Sequence, residues 1–336
     1  LLLSPDFDPV SFCDDIDRLY TELCDGLYNL TVPAPADYLN RKHFDRMKRR
    51  IKSLQAREGE LYTRVVEGKA VVTQDIVYND LSYLFEQLVR AKEIVINGVP
   101  YPNLPVLEGI LEKESALLNR LAPRKLRRFS HGDFYFGNSV KTLQETIAWI
   151  DIRGTAEPDE PIDIADELEK NLHTIFFDLG NVARALRVNP YTIRFDSEGE
   201  KVFIDIQIDA SQHDIISRYL DVRERLLHLI KNHPRLREVA NDGSDWFARI
   251  VLIVAIDLIS CAPNRLEDDP TGGIPILFYT IGTMLLNDFL RAEGVKTGTS
   301  FSLHDMFDKL LIEDMKSKRS SETSPEHKAL LTQDGI

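Results

Sequence analysis

Cysteine is scarce in this chain. Cys13, Cys24 and Cys261 are the only three in 336 residues, an odd number without ligand spacing, which argues against a disulfide framework and a zinc site. A reducing, cytoplasmic setting is the expectation. Positive charge is also in deficit: 41 lysines and arginines face 54 aspartates and glutamates, a formal net charge of -13. Nucleic-acid binding draws much of its affinity from cations that neutralise phosphates, so nucleic acid is not the expected partner. Long apolar runs are lacking too. Val251 to Ile259 is too short to cross a bilayer, and the amino terminus has neither the charged flank nor the cleavage site of a signal peptide. No membrane partner is expected. The chain opens on LLLSPDFD without a methionine, which leaves room for a natural start further upstream.

The apolar fraction of 43% and charged fraction of 28% fit a water-soluble globular protein, long enough to bury one large core or two modest ones. A basic run from Arg41 to Arg57, with Arg124, Arg127 and Arg128 further on, reads as a solvated helix face. Oligomeric state cannot be read from any of these features.

Apolar spacing predicts a helix over Ser11 to Asn29, with Phe12, Ile16, Leu19, Leu23 and Leu27 on one face. Pro33 and Pro35 break the pattern, and Asp37 is placed to cap a second helix reaching about Gln55. Valines between Leu61 and Val77 suggest a short hairpin, and Asp80 to Val95 reads as helix. Ile96 to Pro105, rich in proline with an Asn-Gly pair, is expected to be an ordered loop or turn before a helix from Leu107 to Leu121. Two hairpins are predicted later, Ser139–Val140 with Thr146–Asp151, and Tyr191–Phe195 with Lys201–Ile208. Helices are expected after Pro161 and over roughly 211–231, 244–260 and 274–292, with a polar, disordered tail over 317–336.

One stretch departs from this helical background: His131-Gly132-Asp133-Phe134-Tyr135-Phe136-Gly137-Asn138, then Ile147-Ala148-Trp149-Ile150-Asp151-Ile152-Arg153-Gly154. An asparagine follows an aspartate by five residues, and a second aspartate ends an apolar strand one short hairpin later. Phosphoryl transfer asks for such a set. One carboxylate must orient or deprotonate the attacking hydroxyl, while an amide oxygen and a second carboxylate hold the magnesium that neutralises the triphosphate. Asp133 is therefore the candidate base, and Asn138 and Asp151 are the candidate magnesium ligands. His131 either holds the loop by hydrogen bonds or takes part in the chemistry. Tyr135 is a candidate for the acceptor pocket, and Arg153 meets either a phosphate or an acid. Asp205 and Asp209, with His213, imitate a metal cluster, but alternating aspartates on a strand read as its solvated face, and Thr271-Gly272-Gly273 lacks the lysine of a nucleotide loop.

These residues resemble the aminoglycoside phosphotransferase and choline kinase superfamily, whose catalytic loop reads His-Gly-Asp with an asparagine five residues after the aspartate. The likeness is greatest to the branch in bacterial sugar and capsule metabolism, although Ile152 stands where that branch has proline. Asp163-Ile164-Ala165 matches the family's Asp-Leu-Ala, whose aspartate braces the catalytic loop, and Ile96 to Tyr101 looks like its upstream loop. The resemblance runs from about Ile94 to Thr174. It implies a protein-kinase-like carboxyl-terminal lobe, α+β and mainly helical with small β hairpins. Residues 1–125 would form its helical part and 126–316 the catalytic loop, metal-binding hairpin and later helices of the same lobe. It also implies ATP or another nucleoside triphosphate and magnesium as cofactors, and a small polar acceptor such as a sugar, aminoglycoside or amino alcohol.

Members of the superfamily also carry an amino-terminal lobe of strands with a phosphate-contacting lysine. No such lobe is evident here. Lys69, in VVEGKAVV, is the one lysine in a valine-rich setting upstream, and its segment is too short for a five-stranded sheet. Two alternatives follow: a nucleotide lobe upstream of Leu1, or a catalytically inactive, kinase-like binding or regulatory module. A metal-dependent hydrolase using Asp133 and Asp151 is a third reading, weakened because no histidine ligands accompany them.

Overall fold

A computed structural model describes residues 7–52, 81–132, 134, 138–142, 147–149, 161–177, 185–269 and 272–297. The hairpin expected between Leu61 and Val77, Lys69 within it, and the tail over 317–336 lie outside these residues.

The architecture is α+β and mainly helical, with four small sheets among the described residues. Helix α1 (Pro9–Gly26) is capped by Asp8, whose carboxylate accepts from Val10 N and Ser11 N, and it buries Phe12, Ile16, Leu19 and Leu23 as the periodicity predicts, together with Tyr20, while Leu27, past its end, is half-buried. After β1 (Thr31–Pro33) the chain is helical again over 38–52, α2, which contains a π-helical turn at Asn40–Phe44. The basic run on α2 is not simply a solvated face. Arg41, Lys48, Arg49 and Lys52 are exposed, but Arg46 pairs with Asp257 and Arg50 donates to Ser260 and Cys261.

Helix α3 (Leu81–Arg90) is shorter than the sequence suggests, because Glu93–Ile96 forms strand β2. Its β-branched residues fit a strand, and partners on both sides decide the matter. β2 pairs antiparallel with β3 (Val99–Pro102) and parallel with β9 (Lys201–Ile204), itself paired with β8 (Arg194–Phe195). The Asn97-Gly98 segment, expected to be a loop or turn, is the tight turn of the β2–β3 hairpin. Both residues take positive φ, 49° and 80°, the combination a two-residue turn matched to strand twist requires. The helix expected over Leu107 to Leu121 is two helices, α4 (Leu104–Leu111) and α5 (Ser115–Leu121). Asn103 fixes the entry to α4, donating to Leu88 O and Ala91 O at 2.7 and 2.8 Å and accepting from Tyr279.

Next come β4 (Lys125–Arg127), paired with β1, and the hairpin of β5 (Ser139–Lys141) and β6 (Ile147–Trp149), which falls where it was expected. Helix α6 (Ile164–Phe177) leads to β7 (Leu186–Val188), which pairs with β10 (Ile206–Ile208). Among the described residues the helices that follow are α7 (His213–Asn232), α8 (Pro234–Ala240), α9 (Trp246–Asp268) and α10 (Gly273–Ala292).

One continuous apolar core joins these elements. At its centre lie α9 and α10, packed on each other, with α6 against α9 and α7. The apolar stretch of α9 reaches well past Val251–Ile259. Trp246–Arg265 and Gly273–Ala292 are both long and apolar enough to cross a membrane by length and composition, and most of each is buried inside the protein.

Helices α9 and α10 come close together at Gly282. A Cβ there would stand 2.8 Å from Ile259 Cγ1 and 2.9 Å from both Ala255 O and Ile259 N. Alanine favours a helix over glycine by about 1 kcal/mol, but two of the three contacts are backbone and cannot yield cheaply. Overpacking typically costs about 1 to 3 kcal/mol. Gly282→Ala is therefore expected to lower unfolding free energy in urea by about 1 kcal/mol net, and Gly282→Val by more.

Candidate active site

The segment entering the His131 loop is pinned before it arrives. Arg127 exchanges backbone hydrogen bonds with Ile162, at 2.6 and 2.9 Å, so β4 lies beside the start of α6. Its buried guanidinium donates to Tyr28 O at 3.0 Å and to Val239 O. The chain then passes over the first turns of α6, where acids and a lysine recur at helical spacing.

Glu167 meets the loop directly. Its Oε2 accepts from His131 N at 3.0 Å and its Oε1 from Gly132 N at 2.9 Å, while the Tyr28 hydroxyl donates to Oε2 at 3.3 Å. Lys170 Nζ donates to Gly132 O at 2.7 Å. Burial pushes the Glu167 carboxyl above the usual carboxylate range, against the pull of these N–H groups and Lys170. Gly132 has φ 82°, a conformation glycine adopts with no side-chain clash.

Below the loop the chain is anchored in the core. His131 is buried, its ring edge-on to Phe134 with centroids 5.9 Å apart, and Phe134 in turn lies against Tyr20. Asn138 is buried immediately before β5. The β5–β6 register sets Ser139 opposite Trp149, so Asn138 adjoins the end of the hairpin from which the chain continues to Asp151. Asp133, Tyr135, Asp151 and Arg153 themselves lie outside the described residues.

Asp163 holds the base of the arrangement. Its carboxylate takes the Arg249 guanidinium through two bonds, NH2 to Oδ1 at 3.0 Å and Nε to Oδ2, with each side chain 1% exposed. Arg249 NH1 also donates to Leu121 O and Ser244 Oγ. The Asp163 N–H donates to the Tyr38 hydroxyl, which donates to Asp166 Oδ2, and His43 Nε2 lies 2.7 Å from Asp166 Oδ1. Burial alone would push Asp166 up, but His43 and the Tyr38 bond outweigh it and hold its carboxyl at about 2. Asp163 was expected to brace the loop. Among the described residues its carboxylate serves Arg249, and the direct bonds to the loop come from Glu167 and Lys170.

Glu169, on the same helix, is buried, and its Oε2 has no hydrogen-bond partner among the described residues. Burial pushes its carboxyl up to about 7, opposed by Lys170 and Arg46. A carboxyl raised in the folded state binds its proton more tightly there. Its contribution to stability is full below 4.5, its ordinary value, and is lost as pH rises to about 7. Glu169→Gln removes that slope. It is expected to raise unfolding free energy at pH 8 by about 1 to 3 kcal/mol, with no gain below pH 4.5, as read from urea melts across pH.

Sequence reasoning passed over Glu167, Lys170, Arg249 and the Tyr38–His43–Asp166 chain. The signal for Arg249 was a cation at the head of an apolar helix, which demands a buried anion. Asp209 follows the bland reading, capping the next turn through Ser211 and pairing with Arg187. Among the described residues no group of three or more His, Cys, Asp or Glu is set to hold a metal ion. In comparisons with known proteins, the chain matches no family model, no curated protein and no solved structure.

Proposed function

We propose that this chain is the catalytic lobe of a phosphotransferase that moves a phosphoryl group from ATP, or another nucleoside triphosphate, to a hydroxyl of a small polar acceptor. The observation that carries the reading is the loop anchorage. Gly132, which leads into Asp133, has its N–H and C=O both tied to α6, and buried Asn138 adjoins the β5–β6 hairpin. A chain segment held on both sides suits a reaction whose catalysis is mainly positioning and charge neutralisation.

In this reading the Asp133 carboxylate orients the acceptor hydroxyl and takes its proton as the oxygen bonds to the terminal phosphorus and the nucleoside diphosphate leaves. Asn138 and Asp151 supply hard oxygen donors of the kind magnesium prefers. Magnesium held there would neutralise the phosphate oxygens. His131 and Phe134 support the loop from below, Tyr135 lines the acceptor side and Arg153 meets a phosphate or a neighbouring acid. The acidic run Glu157-Pro158-Asp159-Glu160-Pro161 suits a cationic acceptor, and the branch resembled suits a sugar.

A second reading, a catalytically inactive binding module, is favoured by one feature. The described residues upstream of His131 form helices and short strands, and no strand-rich lobe with a phosphate lysine is among them. Thermal denaturation separates the two. A phosphotransferase bound to nucleotide plus magnesium at about 100 times Kd gains about 2.7 kcal/mol, and its melting temperature rises. No rise with nucleotide, but a rise with another small ligand or a protein partner, supports the binding module instead.

A further inference from the structure

Gly132 presents a mechanical problem that the residues around it answer. A glycine at φ 82° has no side chain to restrict it, so the peptide planes on either side need anchors if the next residue is to hold one direction. Each plane has one. The plane between His131 and Gly132 is held at its N–H by Glu167 Oε1, and the plane between Gly132 and Asp133 at its C=O by Lys170 Nζ. A third bond, from His131 N to Glu167 Oε2, fixes the plane before them. All three engage an acidic or basic side chain, and such bonds are shorter and stronger than neutral ones when that group is ionised.

The anchors stand on a rigid base. Glu167 and Lys170 are three residues apart, on one face of α6. The start of that helix is locked from other directions by Arg249 on Asp163 and by Tyr38 and His43 on Asp166. Displacement of the loop therefore requires breaking charge-assisted bonds or moving α6.

We propose that Glu167 and Lys170 are positioning residues for phosphoryl transfer, fixing the peptide planes that flank Gly132 and so setting the direction in which the backbone delivers Asp133. This inference rests on the phosphotransferase reading. Neither residue touches the reacting atoms in it. They act through the loop, and a misplacement near 1 Å is worth about 100-fold in rate.

The test uses the full chain with magnesium, ATP and an acceptor that it turns over, comparing wild type, Asp133→Asn, Glu167→Gln, Lys170→Met and Lys170→Arg. Glu167→Gln and Lys170→Met are expected to lower kcat by about 10- to 100-fold with both KM values within about twofold. Amide hydrogen exchange should quicken at residues 131–138 and not across α9 and α10. Lys170→Arg, which keeps a cationic donor, should restore most of kcat. Should Glu167→Gln fail to fold, Lys170→Met carries the test, because Lys170 is only partly buried. Normal kcat in the folded variants, with activity abolished in Asp133→Asn, overturns this inference alone. No nucleotide turnover in wild type, or full activity in Asp133→Asn, overturns the phosphotransferase reading and this role with it.

Discussion

Asp133→Asn is expected to lower kcat for acceptor phosphorylation by about 100- to 10,000-fold, the range that a general base contributes. The amide has nearly the shape of the carboxylate but cannot take a proton. Substrate affinities should therefore change little, and kcat and kcat/KM should fall together, as when an interaction specific to the transition state is lost. The melting temperature should stay within about 2 °C of wild type, since surface-type polar exchanges move stability by about 0.5 kcal/mol or less. Steady-state kinetics beside thermal denaturation reads both. Full activity in this variant removes Asp133 from the mechanism.

Arg249→Met should have the largest effect on stability. It leaves the Asp163 carboxylate buried without its cation, and orphaning one member of a buried pair costs about 3 to 5 kcal/mol. The cation also bonds Leu121 O and Ser244 Oγ, so the loss extends to two further acceptors. The effect has a pH signature. Without the guanidinium, Asp163 is least penalised when protonated, so the deficit should shrink as pH falls towards 5 and widen above neutrality. Asp163→Asn combined with Arg249→Met should recover much of the loss, because no unpaired charge then remains. Urea unfolding of the single and double variants at two pH values measures this. A single variant within about 1 kcal/mol of wild type contradicts the role given to the pair.

Much of the helical frame was legible from periodicity. The apolar steps of α1 and the approximate positions of α6, α7, α9 and α10 matched the structure, because burial on one face, or all round, writes itself into residue spacing. The β5–β6 hairpin was legible from alternation. What could not be read was pairing at a distance. β2 looked helical because its parallel partner, β9, is more than 100 residues away, and Asn97 bridges to Ile206 across the same interval. Strand identity there is a property of the sheet. The break between α4 and α5 falls in a stretch whose apolar spacing continues through it.

The candidate site residues are proposed from the sequence, whereas the contacts that hold the described part of the loop were not legible there. Asp133, Asn138 and Asp151 stand out by residue type and interval, whereas Glu167 and Lys170 look like ordinary polar positions on an amphipathic helix. Their importance comes from where β4 lays the loop, which the Arg127–Ile162 backbone bonds determine. Asp163 matched the resembled motif, but its partner, Arg249, lies 86 residues later and only the folded chain brings the two together.

In the proposed reading, the loop bearing Asp133 and Asn138 and the segment bearing Asp151 share a single divalent-ion site. Manganese titration in the presence of nucleotide, followed by nuclear magnetic resonance of the labelled chain, tests it most directly. Paramagnetic broadening should reach residues 132–138 and 149–152 together at one stoichiometric equivalent, and Asp151→Ala should abolish it at both. Broadening confined to one of these segments, or centred on another part of the chain, would contradict the account.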